Sequence, residues 1–364
     1  MPQIALSQIW KVYGKGSAHA LAALQAGEPA QEVRKRSGCS AAIRDVSLTV
    51  EPGEIFVLMG LSGSGKSTLL RMINGLISPS AGTVEINGQR LPAAPSQQLQ
   101  HLRRSTMAMV FQSFALFPQR SALENAAFGL EVAGVPRAQR LERARQALER
   151  VGLGHELHSR PQQLSGGMQQ RVGLARALAI DPPILLMDEA FSALDPLIRC
   201  EMQNLLLDLQ RDQQRTIVFV SHDLDEAVRI GDRIALLQNG ELLQCGTAEQ
   251  LLCAPANDQV SQFFRAADVA AVRSVDSVLE QPPSGDPLQP SYLVDAHQRF
   301  QGLVPVEGAM IPAAQLPCLA SGTKLREAID AVAASPYPLP VLRADGGLLG
   351  VVGSQQLLRG MVKP

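Results

Sequence analysis

The sequence predicts an α/β fold with a mostly parallel sheet, followed by a separate, small α+β region. Three observations carry this expectation. Strand-sized apolar runs (Ile55-Phe56-Val57-Leu58-Met59, Ile184-Leu185-Leu186-Met187, Thr216-Ile217-Val218-Phe219-Val220) alternate with helix-like stretches as far as about Arg265. That alternation is the mark of parallel strands covered by helices. A glycine-rich turn, Gly60 to Ser67, separates the first run from helix-like Thr68-Leu69-Leu70-Arg71-Met72. A polar, Pro-rich patch, Gln281-Pro282-Pro283-Ser284-Gly285-Asp286-Pro287, then breaks the order and reads as linker. The chain therefore divides into residues 1–265, a linker over 266–290 and a second domain over 291–364. At 364 residues it is long enough for two cores.

Taken in order, the first unusual feature is a stretch over residues 15–43, between Tyr13-Gly14 and the strand around Val46-Ser47-Leu48. It holds two helix-like pieces, Ala18–Leu24 and Pro29–Ser37. Pro29 suits a first helical turn and Gly38 a helix end. Arg137–Arg150 is arginine-rich with Glu142 and Glu149 interspersed, the pattern of a solvated amphipathic helix. Beyond the linker, Tyr292–Val294 and Gly302–Val306 read as strands. Thr323–Val332 reads as an amphipathic helix with Thr323 or Ser321 as N-cap. Leu339–Leu342 and Leu348–Val352 flank an Asp345-Gly346-Gly347 turn, a hairpin signal.

Composition removes several functions. The 33 basic and 34 acidic residues balance, which argues against nucleic acid as a partner. No apolar run approaches the ~20 residues of a membrane helix. The start, Met1-Pro2-Gln3-Ile4-Ala5, has no basic segment leading into an apolar one, so no secretory signal is expected. Five scattered cysteines (Cys39, Cys200, Cys245, Cys253, Cys318) without a C-x-x-C spacing read as structural or incidental thiols. A cytosolic chain is the expectation.

The chemistry-bearing residues come in a definite order. Gly60-Leu61-Ser62-Gly63-Ser64-Gly65-Lys66-Ser67 fits G-x-x-x-x-G-K-[ST] in the strand–loop–helix setting that this motif needs. Such a turn aims backbone N–H groups at phosphate beside a helix N-terminus. Lys66 would reach the β- and γ-phosphates, and the Ser67 hydroxyl would bind Mg²⁺. Ser165-Gly166-Gly167 opens a second helix-like run, Met168 to Ile180, and is a second anion site built of a hydroxyl and bare amides. Ile184 to Met187 delivers Asp188 and Glu189 at a strand end. On its own that acidic pair could equally be a helix cap. Gln112 closes the strand-like Met107–Phe111, and His222 closes Val218–Ser221.

Together these residues resemble the ATP-binding cassette (ABC) ATPases from Met1 to about Arg265. Leu164-Ser165-Gly166-Gly167-Met168-Gln169-Gln170-Arg171 is similar to their LSGGQ signature, with Met168 where most cassettes carry Gln. The resemblance implies a phosphate-loop NTPase cassette with a helical subdomain over about 112–175. ATP would bind Gly60 to Ser67 and Thr68, with Tyr13 stacking on adenine. Mg²⁺ would be held by Ser67, Gln112 and Asp188. Glu189 would polarise the attacking water and His222 would contact the γ-phosphate. Ser165, Gly166, Gly167 and the D-loop residue Asp195 would complete the site of a second copy. Phe114, Leu116 and Phe117 stand where the family receives membrane permease subunits, near Gln112–Pro118; as single residues they could equally be core.

Residues 16–39, and runs such as Asp188-Glu189-Ala190-Phe191-Ser192-Ala193-Leu194-Asp195-Pro196 and Ser221-His222-Asp223-Leu224-Asp225-Glu226-Ala227, resemble one branch of the family. Its members energise uptake of glycine betaine, proline betaine, choline or carnitine. The tail resembles cystathionine-β-synthase (CBS) regulatory repeats, the first truncated and the second spanning Leu319 to Met361. It could regulate or be purely structural. The resemblance implies a homodimer on the cytoplasmic face of the inner membrane, beneath two permease subunits and served by an external binding protein. An amino-acid or sugar importer is the alternative within transport. A non-transport cassette ATPase is the alternative outside it; such proteins generally hold two cassettes or a long coiled-coil insertion, and neither appears between Lys66 and Ser165.

Overall fold

The computed structural model describes residues 1–92, 96–113, 115–283 and 289–362. The chain forms two compact units, Met1–Thr247 and Ala248–Pro364. The division falls earlier than the expected Arg265, because the short helices Ala248–Cys253 and Asp258–Phe263 group with the C-terminal unit.

In the first unit, β1 (Ile4–Tyr13), β2 (Ser40–Val50), β4 (Ala81–Ile86) and β5 (Gln89–Arg90) make an antiparallel sheet in the order β2-β1-β4-β5. A second sheet runs β10-β9-β3-β8-β7-β6. It is built from β3 (Ile55–Met59), β6 (Met107–Val110), β7 (Ile184–Asp188), β8 (Thr216–Ser221), β9 (Arg233–Gln238) and β10 (Glu241–Gly246). Five of its strands are parallel, and β10 closes one edge antiparallel. Every residue of β3, β7 and β8 is buried, which is why these strands read as unbroken apolar runs. The mostly parallel sheet expected from the sequence is present.

The core lies between the two sheets and α3 (Lys66–Ile73), where Ile43, Val46, Phe56, Leu58, Leu69, Ile73, Leu186 and Val218 meet. The expected helical pieces of the early insertion are α1 (Ser17–Gln25) and α2 (Ala30–Ser37). Pro29 stands one place earlier than expected, as the N-cap, and Gly38 ends α2 in left-handed backbone. Ala20, Leu24 and Val33 pack with Val12 and Cys39 as a small core of their own. After α4 (Gln97–Ser105), the helices α5 (Ala122–Val132), α6 (Arg137–Arg150) and α7 (Gly166–Ile180) pack on one another. Helices α8 (Pro196–Gln213) and α9 (Leu224–Ile230) follow.

In the second unit, part of the expected linker is structured. Val269–Val272 is a helical turn and Val275–Val278 a 3₁₀ turn, with Val269, Val272 and Val275 buried. Bridges Ser274–Lys324 and Glu280–Val351 tie this segment to the rest of its unit. The apolar Val residues at 269, 272 and 275 overrode the linker reading, while Ser284–Leu288 lies outside the described residues. Strands are present where expected, as Ser291–Val294 and Phe300–Val304, the second starting two residues earlier; they pair antiparallel, and Ile311–Pro312 adds a third that the sequence did not announce. Strand Leu319–Ala320, helix Leu325–Ala334, the hairpin Leu339–Leu342/Leu348–Val352 and helix Ser354–Gly360 enclose a core of Leu325, Val332, Val341 and Val352. The helix is capped at Lys324 rather than at Thr323 or Ser321. The Thr323 hydroxyl donates to the Ala320 carbonyl, and that of Ser321 to Asp276.

Candidate nucleotide site

Sheet register decides where the chemistry collects. Met59 of β3 pairs with Ser221 of β8, and Asp188 of β7 pairs with Val220. The carboxyl ends of the three strands therefore stand side by side, and Gly60, Glu189 and His222 leave them at one edge. Val110 of β6 lies opposite Met187, which brings Gln112 to the same edge. Parallel α/β sheets bind ligands beyond this end of their strands.

The glycine loop is sterically committed. Gly60 has φ +151°, and a Cβ there would lie 2.1 Å from the Leu237 carbonyl oxygen. Gly65 has φ +100°, and its Cβ would lie 2.6 Å from the carbonyl oxygen of Ala42. The loop wraps a cleft of about 220 Å³ lined by Ala42, Ser62, Gly63, Gly65 to Thr68, and Glu189. The first N–H groups of α3 have no acceptor within the helix. Lys66, only 4% exposed, donates to the carbonyls of Gly60 at 2.8 Å and Leu61 at 3.0 Å. Burial lowers its pKa from the ordinary lysine value, while Glu189 and Asp188 pull the other way. An ammonium has three donors. One remains after the two carbonyls, and a phosphate oxygen answers both that donor and the buried charge. The cradle fits a polyphosphate.

Asp188 is 5% exposed and accepts a hydrogen bond from the Ser67 hydroxyl at 2.7 Å. Arg71 lies 3.7 Å away. With its hydrogen turned to Asp188, the Ser67 oxygen keeps its lone pairs for a hard cation, a donor set that fits Mg²⁺. Glu189 has φ +46°, left-handed backbone that costs a side-chain-bearing residue about 1–3 kcal/mol. Its Oε2 accepts from Gln112 Nε2 at 3.3 Å and lies 3.5 Å from His222 Nδ1. Gln112 also reaches the Ser192 hydroxyl at 3.4 Å. Glu189, Gln112 and His222 thus converge at this edge.

Ser165 caps α7, its Oγ accepting from Met168 N–H at 3.3 Å, so its own hydroxyl hydrogen is left for a ligand. Asp195 caps α8 by accepting from Ile198 N–H at 3.1 Å. Among the described residues that line the Lys66 cleft, none comes from Ser165 to Gly167 or is Asp195. Tyr13, which ends β1 and pairs with Ser40, is 41% exposed with the Lys11 ammonium 5.0 Å from its ring centre. It too is absent from that lining. Of the docking candidates, Phe117 is 37% exposed and packs against Phe128 with ring centres 4.5 Å apart and planes tilted by 56°, Leu116 is half-buried, and Phe114 lies outside the described residues.

Sequence reasoning missed the support beneath His222. The Ser221 hydroxyl donates to Glu226 at 2.5 Å, and Gln203 of α8 donates to the same carboxyl at 3.2 Å. Burial pushes the Glu226 pKa up. Only Asp223, a residue type suited to cap the helix that starts at Leu224, hinted at this corner; the Gln203 contact crosses between helices and leaves no local signal.

The family described as ABC transporter matches residues 43–192, from beside Gly65 to Ser192 at the Glu189 cluster. The chain is 42% identical to the glycine betaine/proline betaine transport system ATP-binding protein ProV of Escherichia coli (strain K12), over 99% of this chain and 97% of that protein. The chain belongs to the ATP-binding cassette transporter family. The cassette is also 48% identical to the glycine betaine transport ATP-binding protein OpuAA of Bacillus subtilis (strain 168), over 77% of this chain and 67% of that one. A dimeric ATP-binding cassette, solved in a post-hydrolysis state with ADP and Pi, superposes with a TM-score of 0.56 at 34% identity. That likeness covers 67% of this chain and 97% of the other. The cassette is an ATPase that hydrolyses ATP for transport. No helix among the described residues is long and apolar enough to cross a membrane.

Proposed function

We propose that the cassette energises import of a quaternary amine (glycine betaine, proline betaine, choline or carnitine) as the ATPase subunit of an inner-membrane transporter. One observation carries the reading. Similarity to the glycine betaine/proline betaine protein runs through 99% of the chain, and so takes in both the α1–α2 insertion and the C-terminal unit. Lys66 and the α3 amides bind the phosphates. Ser67, Asp188 and Gln112 would hold Mg²⁺, which when bound would offset charge developing on the phosphates. Glu189 orients and polarises the water, and His222 faces the γ-phosphate. Tyr13 stacks on adenine. Two copies sandwich each nucleotide, with Ser165, Gly166, Gly167 and Asp195 supplied by the partner. The exposed Phe117 ring supports permease docking near Gln112–Pro118, on the cytoplasmic face of the membrane. An external binding protein selects the solute.

Uptake of labelled glycine betaine, proline betaine, choline and carnitine by cells with and without the gene tests this. At least one of the four should depend on the gene. Gene-independent uptake of all four contradicts the assignment. The helix–strand–strand–helix order over Leu325–Gly360 supports a regulatory tail of the CBS kind. Removing residues 248–364 should leave basal ATP hydrolysis unchanged, since every nucleotide motif lies in the first unit. It should alter how transport responds to osmolarity or added nucleotide. Superimposable response curves for full-length and shortened chains speak against regulation.

A further inference from the structure

The loop that follows Gln112 is fastened to two helices, and one fastening joins it to the helix that Ser165 opens. Arg176, on α7, donates from Nη1 to the carbonyl of Ala115 at 2.6 Å. Ala115 has φ +48°, left-handed backbone that a residue with a Cβ keeps only when its surroundings impose it. The guanidinium belongs to a cleft that also takes in Met109, Phe111, Phe128 and Ile180, and burial lowers its pKa from the usual arginine value. Further along, fully buried Asn125 of α5 accepts from Phe117 N–H at 2.8 Å. The same side chain donates to the carbonyls of Phe117, Arg120 and Ser121 at 3.0–3.1 Å. Upstream, Gln112 meets Glu189 and Ser192.

We infer that Arg176 is a positioning residue for ATP hydrolysis, tying the Gln112 loop to the signature helix. Displacement of the Ser165 end of α7 then moves Gln112 against Glu189, and the two nucleotide-facing groups respond together. Asn125 holds the far side of the loop on α5, so the pull is delivered to Gln112 rather than absorbed downstream. The inference rests on the proposed roles of Gln112 and Ser165. A purely structural Arg176 would fill its cleft and fasten the helices without acting through Gln112.

A double-mutant cycle on the full-length protein separates these roles. Arg176→Met keeps the side-chain length and removes the donors; Arg176→Lys keeps a cationic donor group. With kcat and KM for ATP measured beside the melting temperature, Arg176→Met should lower kcat about ten- to a hundredfold with KM retained, the upper end being the cost of a catalytic group misplaced by about 1 Å. Arg176→Lys should recover most of the loss. In a Gln112→Ala background, Arg176→Met should cause no further fall, because its effect runs through the missing amide. Losses that multiply in the double variant, or a Lys variant as slow as Met, overturn the assignment. Should Arg176→Met fail to fold, the cycle is run with Lys, where a loss absorbed by Gln112→Ala supports the role and a multiplying one refutes it. A Gln112→Ala protein with wild-type kcat removes Gln112 from the site, and this inference with it. A slow Gln112→Ala protein with multiplying losses overturns Arg176 alone.

Discussion

Glu189→Gln leaves ATP binding intact and lowers kcat by about 10²–10⁴, the usual worth of a positioned general base. The amide has the shape of the carboxylate, so it can still meet Gln112 and His222, which lie 3.3 and 3.5 Å from Oε2 in the native protein. What it loses is the negative charge that polarises a water. Asp188, buried behind Ser67, cannot substitute, since its Oδ1 is already engaged by the serine hydroxyl at 2.7 Å. The left-handed backbone at Glu189 also holds the side chain in place whichever atom ends it. Steady-state phosphate release measured beside equilibrium binding of a fluorescent ATP analogue checks both halves. Near-normal turnover in the variant would remove Glu189 from the role of base.

The residues of this site were largely legible because each is announced by its immediate neighbours. Gly60 to Ser67 is contiguous, and a Cβ at Gly60 or Gly65 would meet the carbonyl oxygen of Leu237 or Ala42. Asp188, Glu189, His222 and Gln112 each follow a buried apolar run, and a parallel sheet aligns the ends of such runs without further instruction. The second insertion helix was readable from Pro29 and Gly38, local signals of helix start and stop. Contacts between elements distant in sequence were not readable. Gln203 meets Glu226 across two helices, and Arg176 meets Ala115 across 61 positions. The same limit hid the cap at Lys324. Ser321 and Thr323 are good N-cap residues in isolation, but Asp276 and the Ala320 carbonyl hold their hydroxyls. Val269, Val272 and Val275 likewise looked like linker until a core was present to bury them.

The central claim, that one nucleotide is held between the Lys66 cradle of one copy and the Ser165 cradle of another, predicts an unusual pattern of complementation. Ser165 to Gly167 do not line the Lys66 cleft, and the dimeric cassette solved with ADP and Pi supports pairing across copies. Lys66→Ala removes the buried ammonium from one half of each shared site. Ser165→Arg fills the other half with bulk and a misplaced charge. Each pure variant should be nearly inactive. In a mixture, a heterodimer combines an intact Lys66 with an intact Ser165 at one of its two sites, while the other site has lost both. ATPase activity should therefore reappear on mixing, to roughly a quarter of the wild-type rate at equal, fully exchanged amounts if each site works alone. The decisive measurement is phosphate release by heterodimers carrying two different tags and isolated by sequential pull-down. Recovered turnover is the predicted result. Heterodimers as inactive as either parent would contradict a shared site with independently working halves, and full activity in either pure variant would contradict the role given to that cradle.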